Sequence, residues 1–158
     1  MDHNYFLIKV LDYAKFSLEN DRSPSNSILV NKWGDIISQS SNLVITENDP
    51  TAHSEIVCIR EAAKKTKSLD LSGLTLYTAI EPCLMCLCAC YWSKVKRIVY
   101  VLGRDKLEVA SYEGNINNKE IITKLNSYIS LEHTPEFEER MLDLMGIWED
   151  RQKKYWRK

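Results

Sequence analysis

Apolar residues recur at helical spacing near the start of the chain, where Phe6, Leu7, Val10, Leu11, Ala14 and Leu18 predict an amphipathic helix over residues 4–19. The turn-forming stretch Asn20-Asp21-Arg22-Ser23-Pro24-Ser25-Asn26 predicts a loop after it. Ile28-Leu29-Val30 and Asp35-Ile36-Ile37-Ser38 flank Asn31-Lys32-Trp33-Gly34, which predicts a β-hairpin with glycine in its turn. Asp49-Pro50 predicts a helix start, since Asp caps a helix and Pro suits its first turn; His53 and Glu55 would then lie in the first turns. Leu74–Thr78 reads as a short strand, and Pro82 as the opening of a helix carrying Cys83 and Cys86 on one face. Arg97–Leu102 is a further strand, Ile116–Leu125 a helix, Ser127–Leu131 a strand and Pro135–Lys154 a long final helix. Strands alternating with helices predict an α/β sandwich. With no repeat, low-complexity tract or linker, residues 1–158 read as one domain.

Length and charge narrow the function. A chain of 158 residues is long enough for a real core. A formal net charge of −1 gives no broad basic surface, which counts against nucleic acid as the main partner. No apolar run approaches the ~18 residues of a membrane span. Met1-Asp2-His3-Asn4-Tyr5 has no basic stretch before an apolar run, so no signal peptide is expected. The five cysteines are Cys58, Cys83, Cys86, Cys88 and Cys90. An odd number so tightly packed argues against a disulfide framework and for a reducing, cytoplasmic setting.

The chemistry concentrates in His53-Ser54-Glu55 and Pro82-Cys83-Leu84-Met85-Cys86. Imidazole and thiolate suit Zn²⁺, and a catalytic site uses three protein ligands with the fourth position left to water. His53, Cys83 and Cys86 are therefore the candidate ligands. Zinc there would lower the pKa of its water towards ~7 and yield a hydroxide nucleophile. Glu55, two residues from a ligand, would accept the water's proton and relay it to a ring nitrogen and then to departing ammonia. The spacing H-x-E…P-C-x-x-C is the signature of zinc nucleobase deaminases, in which this glutamate is the general acid–base and not a ligand. A closed structural site would need a fourth ligand, and Cys90 is the nearby candidate; it lies ~6 Å further along the helix axis than Cys86. Cys58, Cys88 and Cys90 read instead as small buried apolar residues.

Asn48-Asp49-Pro50-Thr51-Ala52-His53-Ser54-Glu55 and Leu76-Tyr77-Thr78-Ala79-Ile80-Glu81-Pro82-Cys83-Leu84-Met85-Cys86 resemble the two core motifs of the cytidine-deaminase-like superfamily. Within it the chain is similar to the branch of bacterial guanine deaminases, tRNA adenosine deaminases and fungal cytosine deaminases, over roughly residues 24 to 102. The resemblance implies a three-layer α/β/α sandwich with a five-stranded mixed sheet. Most relatives read His-Ala-Glu; Ser54 is a departure, expected to point away from the ligands. By resemblance, Asn42 at the end of the second strand would hydrogen-bond the substrate base, as an amide offers donor and acceptor together. Tyr91-Trp92 resembles the pair that follows this motif in guanine deaminases, and implies that Trp92 walls the pocket.

Two stretches depart from the guanine deaminase pattern. Pro24-Ser25-Asn26-Ser27 lacks the aromatic and the glycine of the turn before the first strand. Tyr112-Glu113-Gly114 keeps one acid of a pair, and Glu113 would accept hydrogen bonds from guanine. The tail Arg151-Gln152-Lys153-Lys154-Tyr155-Trp156-Arg157-Lys158 is basic and aromatic. In guanine deaminases such a tail closes the partner subunit's site, which implies a homodimer and a substrate contact for Trp156. The expected activity is zinc-dependent hydrolytic deamination of a nucleobase or small nucleoside, purine preferred and guanine first. The alternatives are wobble adenosine in tRNA, for which the basic tail is weak support, and, less favoured, cytosine or cytidine.

Overall fold

The computed structural model describes residues 2–107, 116–126 and 128–156, with side chains up to 152. Helix α1 spans His3–Glu19 and is capped by Asp2, whose side chain accepts a hydrogen bond from the Tyr5 amide. The predicted apolar stripe is its buried face. Strands β1 (Asn26–Asn31) and β2 (Ile36–Ser41) form the hairpin, and Gly34 occupies the left-handed region at φ 91° in its turn, where glycine carries no Cβ penalty. A short helix α2 (Val44–Glu47), which the hydrophobic pattern does not predict, follows β2. Helix α3 is Ser54–Thr66, β3 is Leu74–Ile80, α4 is Leu84–Trp92 and β4 is Arg97–Leu102. Helix α5 (Asn118–Thr123), strand β5 (Ser130–His133) and helix α6 (Glu138–Trp156) complete the described chain.

The sheet has the order β2-β1-β3-β4-β5. β1 pairs antiparallel with β2 and β3, whereas β3–β4 and β4–β5 are parallel, so the sheet is mixed as expected. Side chains alternate between its faces. Tyr77, Ala79, Val99 and Val101 join Phe6, Leu7 and Val10 of α1 and Met141 and Met145 of α6 in one core. Leu29, Leu76 and Ile98 join Cys58 and Ala62 of α3 and Leu87 and Cys90 of α4 in the other. The result is the expected three-layer sandwich.

Two helix starts differ from expectation, and both matter for the site. Asp49-Pro50 does not open α3. Asp49 Oδ1 instead accepts from the Thr51 amide and hydroxyl, each at 2.7 Å, in a separate turn that Arg60 braces. The helix begins four residues later, with His53 extended at the N-cap (φ −62°, ψ 151°). Likewise α4 begins at Leu84, with Cys83 extended at its N-cap. Strand β5 starts three residues beyond the predicted Ser127, because its parallel register with β4 sets it: Arg97 faces Ser130 and Tyr100 faces His133. The bidentate Arg97–Glu132 pair, 3.0 Å at both contacts, ties those strands.

Candidate active site

His53 and Cys83 both sit on the N-cap of a helix, and α3 and α4 pack so that the two N-termini meet beyond the carboxyl end of β3. Cys86 is at N3 of α4. A side chain at N-cap naturally faces N3, the geometry that capping boxes exploit, so the two thiols meet although only Cys86 lies within the helix. Cys83 Sγ and Cys86 Sγ are 3.5 Å apart, and each lies 3.6 Å from His53 Nδ1. A tetrahedral zinc ion bonded at ~2.3 Å to sulfur and ~2.0 Å to nitrogen needs edges of ~3.8 Å between sulfurs and ~3.5 Å from nitrogen to sulfur. The triangle fits to within a few tenths of an ångström. These three residues form the only group of potential metal ligands among the described residues. Cys90 is not part of it: it is fully buried in the core beneath α4, so the closed four-ligand reading loses its candidate.

Electrostatics favour a cation here. The hydrogen bond from Cys86 draws the Cys83 thiol down to about 4, with further help from the His53 hydrogen bond against the opposing effect of burial. Cys86 is pushed up, first by that same hydrogen bond and then by burial. Partial positive charge at the two helix N-termini stabilises the thiolate further.

Glu55, on the first turn of α3, is 4% exposed. Burial pushes its carboxyl above the ordinary range and the Cys83 thiolate adds to this, against the lowering effects of a backbone amide, His53 and Ser54. A carboxyl shifted in this direction accepts a proton more readily than an exposed glutamate does. Ser54 corrects an expectation. It is fully buried and does not point away from the chemistry: its hydroxyl donates to Glu55 Oε2 at 3.0 Å and lies 2.8 Å from the Ser27 hydroxyl. The serine in place of the usual alanine was the only signal for this contact.

Asn42 follows β2 and is half-buried. Its Oδ1 accepts from the Val44 amide at 3.1 Å, which starts α2, and its own amide donates to Ser25 O at 2.9 Å. The oxygen is thus engaged locally by the start of α2. Trp92 is 81% exposed at the far end of α4, edge-on to Tyr91, about 9 Å along the helix axis from Cys86. The structure does not bring it to the ligand triangle within the single chain. Glu113 and the side chain of Trp156 lie outside the described residues.

A polar cluster behind the ligand loop escaped sequence reasoning. Asn118, at the start of α5 and 2% exposed, donates from Nδ2 to Glu81 Oε1 and to the carbonyl of Pro82, both at 2.8 Å. Glu81 Oε2 accepts from the Arg104 amide at 3.4 Å, and the Arg104 guanidinium donates to Ile116 O at 2.9 Å. Pro82 O belongs to the peptide group whose nitrogen is that of Cys83, so Asn118 grips the backbone that aims a ligand. Glu81 immediately before Pro82-Cys83 was the visible half of this cluster; Asn118 carries no local signal.

An open triad of one imidazole and two thiolates beside a buried carboxyl, on a mixed α/β/α sandwich, defines a zinc-dependent hydrolytic deaminase. Known proteins agree. The family model for the cytidine and deoxycytidylate deaminase zinc-binding region matches residues 1–102, and the chain belongs to that family. It is 35% identical to guanine deaminase of Bacillus subtilis (strain 168) over 121 residues, 77% of this chain and 78% of that protein. It is 40% identical to the tRNA-specific adenosine deaminase of Buchnera aphidicola subsp. Schizaphis graminum over 97 residues, 61% of this chain and 64% of that one. Among solved structures, a tRNA:A34 deaminase superposes with a TM-score of 0.76 at 26% identity, covering 89% of this chain and 99% of its own. Among the described residues no helix is long and apolar enough to cross a membrane.

Proposed function

We propose that the protein deaminates a free purine base or small nucleoside, with guanine as first candidate, and that Glu55 is its proton shuttle. The observation that carries the mechanism is the buried Glu55 carboxyl beside the His53–Cys83–Cys86 triangle. Zinc held there supplies Lewis acidity that makes water a nucleophile near neutral pH. Glu55 takes a proton from the attacking water, lends it to the ring nitrogen and returns it to the amine. One water is consumed, a C–O bond forms, the C–N bond breaks and ammonia leaves. Asn42 Nδ2 donates to an acceptor on the base edge and thereby orients it.

Guanine is favoured because the likeness to a guanine deaminase extends over 77% of this chain and the net charge is only −1. The second reading, wobble adenosine in tRNA, is favoured by the 40% identity to a tRNA-specific adenosine deaminase. It requires phosphate contacts and hence affinity that falls steeply with salt. Ammonia release from guanine, guanosine, adenine, adenosine, cytosine, cytidine and aminated triazines, run beside inosine sequencing of treated tRNA, decides between them. Activity confined to pyrimidines would defeat both purine readings.

The protein acts as a homodimer in this proposal. Exposed Trp92 is offered to a substrate pocket completed by the second subunit, with Glu113 as a hydrogen-bond acceptor for the base and Trp156 as the closing aromatic. Sedimentation at micromolar concentration tests the dimer. Deleting residues 155 to 158 should lower turnover sharply; unchanged activity would make the tail a solvated end.

A further inference from the structure

A row of buried hydroxyls runs from Glu55 into the sheet. Ser54 Oγ is 3.0 Å from Glu55 Oε2, Ser27 Oγ is 2.8 Å from Ser54 Oγ, and Thr78 Oγ1 is 2.9 Å from Ser27 Oγ. A fourth contact, Thr78 Oγ1 to the carbonyl of Asn26, is longer at 3.4 Å. Ser27, Ser54 and Thr78 are fully buried, and Ser27 and Thr78 are direct cross-strand partners on β1 and β3. Each hydroxyl owns one hydrogen and rotates to suit its neighbours. Ser54 donates to Glu55 Oε2, whereas Ser27 donates to Thr78 Oγ1, whose own hydrogen faces the Asn26 carbonyl. The Ser54 and Ser27 hydroxyls are held in contact between these bonds.

We propose that Ser54 is a positioning residue for Glu55, and that Ser27, itself fixed by its hydrogen bond to Thr78, holds the Ser54 hydroxyl within reach of Oε2. This rests on the reading of Glu55 as the proton shuttle. An Oε2 that accepts from Ser54 leaves Oε1 to take and release the proton, so the carboxyl keeps one rotamer and one working oxygen through the cycle. Ser27 and Thr78 lie in the sheet, so the start of α3 that carries Ser54 and Glu55 is tied to β1 at this point. Ala at position 54 would leave Oε2 without this donor.

The test is steady-state kinetics of zinc-loaded S54A, S27A and the double variant with guanine, or with an anticodon stem-loop carrying adenosine 34 if guanine is not turned over. S54A should lose about tenfold in kcat, the size of one charge-assisted hydrogen bond felt at the transition state, with KM changed less than about twofold. S27A should lose less, and adding it to S54A should cost nothing further, because both act through one hydroxyl. Zinc content should stay at one per chain, by elemental analysis. An S54A kcat within about twofold of wild type, multiplying losses in the double variant, lost zinc, or a KM shift in step with kcat would each overturn the proposal. Glu55→Gln in the same assay separates the two layers. If it is inactive while S54A is normal, only the positioning role fails; if it keeps its turnover, the shuttle reading fails as well.

Discussion

Replacing Asn118 offers the most informative test of how this fold holds its metal loop. Both groups within reach of Nδ2, Glu81 Oε1 and Pro82 O, are acceptors, which fixes the orientation of the amide. Its own Oδ1 finds no partner among the described residues. Asn118→Ala removes two hydrogen bonds, one of them to a carboxylate, for a gross loss of ~2–4 kcal/mol, while relieving a stranded carbonyl of ~1 kcal/mol or more. The net is about 2 kcal/mol, and at ~2–4 °C per kcal/mol for a chain of this length Tm should fall by about 4–8 °C. Asn118→Asp keeps the shape but turns an oxygen towards two acceptors, so it should cost more than alanine. Loosening the Cys83 peptide should also weaken zinc binding by about 10–100-fold, the usual effect of losing a group that orients a ligand. Differential scanning calorimetry gives the first quantity and competition with a chromophoric chelator the second. An aspartate variant as stable as the alanine one, or unchanged zinc affinity in both, would refute the reasoning.

Glu55→Gln should keep zinc and a Tm at or above wild type, since a buried carboxyl becomes a neutral amide, yet lose ~10²–10⁴ in turnover. Retention of a tenth or more of the ammonia release would contradict the shuttle. Cys83→Ala should lose metal as well as activity, and stoichiometric zinc in that variant by elemental analysis would contradict the ligand set. Zinc uptake should depend on pH in a fixed direction. With the Cys83 thiol at about 4 and Cys86 raised, the metal-free pair holds one proton just above neutrality, and binding expels it. Affinity should therefore rise about tenfold per pH unit between roughly 7 and 8.5, and a pH-independent chelator competition would show both thiols already ionised.

The sequence by itself determined most of the elements, the layers and the candidate metal ligands. Helix α1, the hairpin and β4 were legible because period 3.6 and period 2 are local properties of the chain. The ligands were legible because zinc demands particular atoms at particular spacings, and few chains place H-x-E and P-C-x-x-C in order by accident. The true helix starts were not legible: Asp49 has cap chemistry, but its side chain is engaged by Thr51, and only the meeting of α3 with α4 puts His53 and Cys83 on the caps. Strand β5 was misplaced by three residues because its register is set by β4, some thirty residues away in sequence. Tertiary structure alone decided what stands around the ligands. Thr78 meets Ser27 by strand pairing, Ser54 meets Ser27 where α3 packs on β1, and Asn118 reaches Pro82 across 36 residues. A hydrogen bond between distant residues leaves no periodicity in the sequence, because its specificity lies in the direction of a few atoms that only the packed layers bring together.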